Sequence, residues 1–282
     1  MQTLKISVDW FDRLLPEGLP IPSSTLLSGP GGSGKPLIGN FIAADWLRQG
    51  GSVVFMSLQY PDHSFIKTSL KTITHLDIDN YVNKTVFIEL DANLENFQNP
   101  KGRHFKANVV KPEIWDQALE QAYEMVPDEG PGILVYGSAL NLLLFSPTYG
   151  VKILKKMKST IQKAFKHSYL FSTSTTAKGK EIAELESIVD NLIMIRGDRK
   201  TKKLYLQVKH VKAVKFLAEE VEAPFSQKFC RNLRESLIKL ENVSYHLFQN
   251  CRGELNGIYL GCKRKDYQPI CHILDKRINI WR

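Results

Sequence analysis

The sequence predicts an α/β protein: a mostly parallel sheet with helices on both faces, a C-terminal antiparallel hairpin, and then a small α+β appendage. Between residues 24 and 170, short continuous apolar runs alternate with segments of helical periodicity. Strands covered on both faces have this continuous apolar character, because neither side of them meets water. Two later runs, 192–195 and 203–208, follow each other without a helix between them, which predicts a hairpin turning at Gly197 and Asp198.

The elements follow in order along the chain. A lead-in segment, 1–24, contains one apolar turn around Trp10 and Phe11, and prolines between 16 and 22 prevent it from continuing as a helix. The strands predicted for the parallel sheet are 24–28, 53–58, 86–90, 133–136 and 169–173. The predicted helices are 37–47, 64–74, 113–125 and 151–167, and 182–189 is predicted to be helical or a turn. Residues 92–110 are rich in Asn, Gln and Lys, and we predict a long, flexible loop there.

The pattern changes after Pro224, so the sequence predicts two domains, 1–226 and 227–282. The second begins with an amphipathic helix, 227–240, and continues with three short β-like runs. All four cysteines, Cys230, Cys251, Cys262 and Cys271, lie in the last fifth of the chain and form no C-x-x-C pair. They are therefore predicted to be reduced thiols, and no metal ligands are assigned.

Composition restricts the location and the partners. No apolar run is long enough to cross a bilayer and residues 1–10 contain no signal-peptide core, so the sequence predicts a cytoplasmic protein without a membrane partner. The formal net charge of +9 permits a polyanionic partner such as nucleic acid. Two basic clusters could serve it, the lysines of helix 151–167 and the stretch 263–265, although solvated helix faces and hairpin turns commonly look the same.

A glycine-rich loop between the first strand and the first long helix is the strongest motif. Residues 29–35 read GPGGSGK, which matches the phosphate-binding pattern G-x-x-x-x-G-K in its strand–loop–helix context. Backbone N–H groups of such a loop, the helix N-terminus and the lysine bind phosphate, so ATP or ADP is the predicted ligand. The predicted nucleotide-binding residues are Gly29, Pro30, Gly31, Gly32, Ser33, Gly34, Lys35 and Pro36.

The order of motifs resembles the RecA-like ATPases, and within them the KaiC-like family, over residues 7–226. The lead-in residues 11–20 resemble that family's FDxLLxGGIPxG, and 29–35 resemble its GPPGTGK. Further similar stretches follow in family order at 53–59, 133–138, 188–193 and 208–211. The resemblance implies a RecA-like fold, ATP with Mg²⁺ as ligands, and assembly into an oligomer, a hexameric ring in particular.

Four positions depart from the family pattern. The resemblance places a Mg²⁺-binding hydroxyl at Pro36, a metal-shell aspartate at Gly137, a catalytic glutamate at Gln59 and an arginine finger at Val211. None of these four side chains can perform the corresponding role. Lys209, by contrast, matches the lysine that the family presents to a neighbouring subunit's phosphate. We therefore predict no catalytic residues, treat Gln59 and Gly137 as degenerate positions, and do not expect a normal Mg²⁺ site.

These observations leave three hypotheses. The leading one is a nucleotide-binding protein with lost or strongly reduced ATP hydrolysis, a regulatory or assembly module that forms a homo-oligomer or partners an active paralogue. The second is an active ATPase whose metal ligands have moved to Glu89, Asp91 or Asp62. The third is a DNA-binding protein related to recombination mediators that needs no ATP. Thr173 and Ser174 are further candidates, because this fold places a polar sensor at the end of their strand.

Overall fold

The computed structural model describes residues 2–58, 63–163, 165–198, 201 and 203–225. Residues Met1–Phe225 form one compact unit. The predicted appendage, 227–282, lies outside the described residues, so its structure and the domain boundary remain predictions. Gln59, Asp62, the four cysteines and the basic stretch 263–265 also lie outside them.

A nine-stranded sheet organises the described part of the chain. From one edge to the other, its strands lie in the order β11, β10, β9, β3, β8, β7, β4, β5, β6, and a separate two-stranded sheet joins β1 to β2. The strands are β1 (Gln2–Leu4), β2 (Leu19–Ile21), β3 (Ser24–Gly29), β4 (Ser52–Ser57), β5 (Thr85–Leu90), β6 (His104–Ala107), β7 (Ile133–Gly137), β8 (Ser168–Ser174), β9 (Asn191–Asp198), β10 (Lys203–His210) and β11 (Val221–Ala223). Neighbours from β9 across to β6 pair in parallel, whereas β10 pairs antiparallel with both β9 and β11. The predicted fold class is confirmed.

Helices cover both faces of this sheet. They are α1 (Asp9–Leu14), α2 (Lys35–Arg48), α3 (Ser64–Thr74), α4 (Pro112–Glu124), α5 (Gly150–Gln162) and α6 (Gly179–Glu186), with 3₁₀ turns at Ile78–Lys84 and Leu140–Phe145. Apolar residues of α1, α2 and α3 share one core with alternate residues of the strands. Those of α4, α5 and α6 share a second core on the other face. Because the parallel strands run in the same direction, their carboxyl ends all lie at the same end of the sheet, where ligands bind in open α/β sheets.

Three sequence-based expectations were wrong. The segment 92–110 is not a long loop, because residues His104–Ala107 form edge strand β6, with alternate residues Phe105 and Ala107 buried. The hairpin does not turn at Gly197 and Asp198, since both pair with β10 inside the ladder. Helix α5 ends at Gln162, one residue after its last buried apolar residue, and does not reach His167.

Candidate phosphate-binding site

The glycine-rich loop connects the end of β3 to the start of α2, and two of its glycines are required by geometry. Gly29 has φ +155°, and a Cβ there would lie 2.0 Å from the carbonyl oxygen of Ile195. Gly34 caps α2 in the left-handed region at φ 75°, where residues with a side chain are strained. The glycines thus let the backbone curve tightly between strand and helix, as a concave phosphate cradle requires.

Lys35 lies inside this loop and is only 6% exposed. Its Nζ donates to the carbonyl oxygens of Gly29 (3.0 Å) and Pro30 (2.6 Å) and to Ser33 Oγ (3.1 Å). The loop therefore holds one positive charge at the first turn of α2, next to the helix N-terminus. A phosphate group fits this combination of backbone amides, helix dipole and ammonium group.

Hydroxyl groups at the end of β8 border the loop. A Cβ on Gly31 would lie 3.4 Å from Ser174 Oγ and 3.5 Å from Thr176 Oγ1, and these two hydroxyls are 2.8 Å apart. The backbone N–H of Ser174 donates to Oδ1 of the buried Asn141 at 3.1 Å, which fixes the end of the strand. Of the two sensor candidates, Ser174 is thus beside the loop.

Thr173 takes part in a different network below the loop. Its hydroxyl donates to Ser28 Oγ at 3.3 Å, and Ser28 Oγ donates to Glu186 Oε1 at 2.5 Å. Sequence reasoning missed Glu186 because it belongs to α6, far along the chain from the motif. The network connects β3, β8 and α6 immediately before the loop begins.

The first turn of α2 differs from a metal-binding turn. Pro36 has neither a hydroxyl nor a backbone N–H, and its carbonyl oxygen accepts a hydrogen bond from the Tyr136 hydroxyl at 3.4 Å. The Tyr136 ring lies against Gly39, where a Cβ would be 2.3 Å from the phenol oxygen. A buried aromatic ring from β7 therefore occupies the space beside the first turn of α2.

A side chain at position 137 would point away from the first turn of α2. A Cβ built on Gly137 would lie 3.0 Å and 3.2 Å from two ring carbons of Phe171, and 3.7 Å from Met56 Cβ. Both neighbours belong to the core on the face of the sheet opposite α2. A carboxylate at 137 would thus require Phe171 to move and would begin on the wrong face.

A small pocket beside Pro36 has an apolar lining. Aromatic and aliphatic residues line most of it, and its described polar residues are Asn40, Ser69 and Ser138. Asn40 donates to Ser69 at 2.8 Å, and no carboxylate belongs to the described lining. Mg²⁺ binds oxygen ligands in octahedral geometry, usually including carboxylates. The residues that line the pocket beside Pro36 therefore do not fit the Mg²⁺ ion that normally binds next to a phosphate-binding loop.

The positions compared with inter-subunit residues lie on and after β10. Lys209 is exposed and lies at a β-bulge of β10. Its neighbours Val208 and His210 pair with the consecutive residues Ile193 and Leu192, so Lys209 has no pairing partner in the ladder. Val211 is partly buried and packs against the core that includes apolar residues of α2. Bulges often direct a side chain out of a sheet, which agrees with the exposure of Lys209.

Two of the three carboxylates considered as relocated metal ligands, Glu89 and Asp91, do not reach the loop. Glu89 lies on β5, four strands from β3, a separation of about 19 Å at ordinary strand spacing. Its carboxylate contacts His63 and His104, and Asp91 accepts from the backbone N–H of Asn93. Burial alone would raise the pKa of Glu89, but its contacts with the two histidines hold that pKa below the ordinary value. Glu89 and Asp91 are therefore not positioned to hold a metal ion at the loop.

Helix α5 has the buried and solvated faces that its sequence predicts. Ile153, Met157 and Ile161 are buried, whereas Lys152 and Lys155 are exposed. Two of its other lysines form ion pairs with acidic residues of neighbouring helices, Lys156 with Asp116 and Lys158 with Glu184. These two pairs reduce the positive charge that this surface would offer to a polyanion.

A sequence comparison identifies the family of the chain, and a structural comparison supports its fold. The sequence profile of the KaiC ATPases matches residues 4–221. No curated protein matches the chain in sequence. Among solved structures, a KaiC-like protein from the hyperthermophilic archaeon Pyrococcus horikoshii OT3 superposes with a TM-score of 0.60 at 13% identity, over 80% of this chain and 96% of that one. At that identity the likeness shows the fold, which is RecA-like. Among the described residues, no helix is both long and apolar enough to span a membrane.

Proposed function

The chain belongs to the KaiC ATPase family, and from this premise we propose that it binds ATP or ADP through residues 29–35 but hydrolyses ATP slowly or not at all. Its role is then that of a regulatory or assembly module rather than a motor. The observation that carries the proposal is the contrast between the two halves of the site. The phosphate cradle and Lys35 are present, whereas Pro36 and the Tyr136 ring lie beside the first turn of α2 and Gly137 offers no carboxylate.

The cradle supports phosphate binding by itself. The backbone of 29–34 and the N-terminus of α2 supply amide groups and a favourable dipole, and Lys35 supplies the charge. Ser174 and Thr176 provide hydroxyls beside Gly31 that can donate to a phosphate oxygen. These interactions need no metal ion, because all of their donors belong to the protein.

The metal half of the site argues against efficient hydrolysis. When Mg²⁺ is bound in a phosphate-binding loop of this kind, it neutralises charge that develops on the transferred phosphoryl group. Here a proline, a tyrosine ring and an apolar pocket adjoin the loop at that position. Without a metal ion, the four negative charges of ATP are poorly neutralised, so ADP is expected to bind at least as well as ATP.

Assembly is the remaining part of the proposal. Lys209 is exposed on a bulge of β10, which supports a contact with a phosphate bound to a neighbouring molecule. We therefore propose a homo-oligomer, a hexameric ring in particular, or a complex with an active paralogue. Sedimentation with and without ADP tests this part, because a nucleotide-dependent oligomer weakened by Lys209→Ala supports it and a monomer in all conditions contradicts it.

Calorimetric titration of the full chain with ADP and with ATP, in excess EDTA and in excess Mg²⁺, tests nucleotide binding. The proposal predicts binding of both nucleotides, with ADP at least as tight as ATP and with little change in affinity when Mg²⁺ is added. An affinity that rises strongly with Mg²⁺ argues for a working metal site, and the absence of binding under all conditions refutes the proposal.

A further inference from the structure

We propose that His63, Glu89 and His104 form a binding site for a divalent transition-metal ion such as Zn²⁺ or Fe²⁺. The site lies at the β5–β6 edge of the sheet and is separate from the phosphate cradle. Two imidazoles and one carboxylate are a ligand set that these ions favour. The proposal does not depend on nucleotide binding, and either of the two can fail without the other.

The three side chains already lie at distances close to those of a metal site. Glu89 Oε1 is 3.3 Å from His63 Nδ1, and Glu89 Oε2 is 3.0 Å from His104 Nε2. One ligand atom from each of the three residues can be chosen so that all lie within 4.8 Å of one another. In a tetrahedral site with bonds of about 2.1 Å, ligand atoms are about 3.4 Å apart, so the two Glu–His contacts already match this spacing and the widest separation would contract by at most about 1.4 Å on binding.

His104 is poorly satisfied without an ion. Its Nε2 is buried and lacks a hydrogen-bond partner among the described residues, although Glu89 Oε2 is only 3.0 Å away. The contact is therefore close in distance but misaligned for an N–H···O hydrogen bond. A metal ion held between nitrogen and oxygen would satisfy both atoms.

Glu89 is held in place by the fold. Its side chain is 5% exposed, and Oε1 accepts the backbone N–H of His63, the residue before α3, at 2.9 Å. Its strand pairs in parallel with β6, which places His104 opposite Phe87 on the neighbouring strand. Two of the three ligands thus come from adjacent strands, and a backbone hydrogen bond orients the carboxylate, as metal sites require of their supporting groups.

The imidazoles also border a space that can complete the coordination. His63 and His104 line a pocket of about 140 Å³, together with Lys67, Asp79 and Arg103. Lys67 forms an ion pair with Asp79 at 2.7 Å, whereas Arg103 Nη1 is buried without a hydrogen-bond partner among the described residues. The positive charge of Arg103 repels a metal ion without anionic ligands, but it favours a metal ion that binds hydroxide or another anion on the side facing the pocket. The ordinary alternative is a carboxylate that contacts two histidines and binds no metal.

Cobalt titration of the EDTA-treated full chain tests the site, with Zn²⁺ and Fe²⁺ as competitors that distinguish the two native candidates. Co²⁺ bound by nitrogen and oxygen shows visible d–d bands, and the cysteines of the C-terminal region would reveal themselves by a thiolate charge-transfer band in the near ultraviolet. We expect one equivalent of Co²⁺ with d–d bands and without the thiolate band. Glu89→Gln and His104→Ala should each weaken binding more than about 100-fold, because loss of a direct ligand exceeds the effect of losing a supporting group.

The matched control is His75→Asn, which removes an exposed histidine whose left-handed backbone Asn tolerates, and it should leave the affinity unchanged. Glu89→Gln keeps the shape of the side chain, so its result stands even if His104→Ala fails to fold. The proposal is overturned if the full chain binds no metal, if Glu89→Gln binds as tightly as the unmodified chain, or if all bound cobalt shows the thiolate band. Because the site is remote from the loop, Glu89→Gln should leave ADP affinity unchanged.

Discussion

Replacing Lys35 by alanine tests whether the glycine-rich loop is the nucleotide site. In the protein, Lys35 Nζ donates to three oxygens of the loop at 2.6–3.1 Å. A bound phosphate must take over at least one of these donors, since an ammonium group has three. The alanine variant loses that interaction and the positive charge, but it keeps the loop backbone and the helix N-terminus.

The expected loss of affinity follows from the strength of one such bond. A hydrogen bond to a charged group contributes about 1.5–3 kcal/mol net. That range corresponds to a dissociation constant for ADP raised about 10- to 150-fold. The upper part of the range is expected, because Lys35 is buried and solvent screens its charge weakly.

Isothermal titration with ADP in EDTA measures the effect without any contribution from metal ions. Lys152→Ala is the matched control, since this lysine is exposed on α5, which packs on the opposite face of the sheet from α2. It should bind ADP like the unmodified chain. The reasoning is refuted if Lys35→Ala, shown to be folded by its thermal transition, binds ADP within twofold of the unmodified chain.

Two further predictions concern stability. Gly39→Ala should destabilise the protein by about 1–3 kcal/mol despite the better helix propensity of alanine, because the new methyl group would lie 2.3 Å from the Tyr136 hydroxyl. The control is Gly179→Ala, whose methyl group would have no atom within 4 Å and which should leave the melting temperature unchanged or slightly raised. Burial lowers the pKa of His167 below 6.5, so between its folded and unfolded pKa values the unfolded chain binds more protons than the folded one. The free energy of unfolding, measured with denaturant, should therefore fall as the pH decreases from about 7 to about 5, and His167→Gln should flatten that slope; an equal slope in both proteins would contradict this assignment.

The parallel sheet and the loop could be predicted because their signals are local in sequence. Continuous apolar runs identify buried strands, and the phosphate-binding motif is contiguous from Gly29 to Lys35. The resemblance to a family then located Pro36 and Gly137 as departures. The resemblance could not show that Tyr136, the residue before Gly137, occupies the space beside α2. The direction of a side chain depends on the alternation of residues between the two faces along β7 and on its neighbours.

The cluster at the sheet edge was missed for a related reason. His63, Glu89 and His104 are distant in sequence, and only the register of β5 with β6 and the start of α3 bring them together. Because residues 92–110 are polar, we predicted a loop there and did not predict strand β6, so the position of His104 in the sheet was missed. Edge strands carry more polar residues than central ones, so composition alone identifies them poorly.

Phosphate release from ATP by the purified full chain, at saturating ATP and Mg²⁺, tests the central claim most directly. We predict little or no release above that from Lys35→Ala, under conditions in which the unmodified chain binds nucleotide. Sustained Mg²⁺-dependent release that disappears in Lys35→Ala would show a working ATPase and contradict the account.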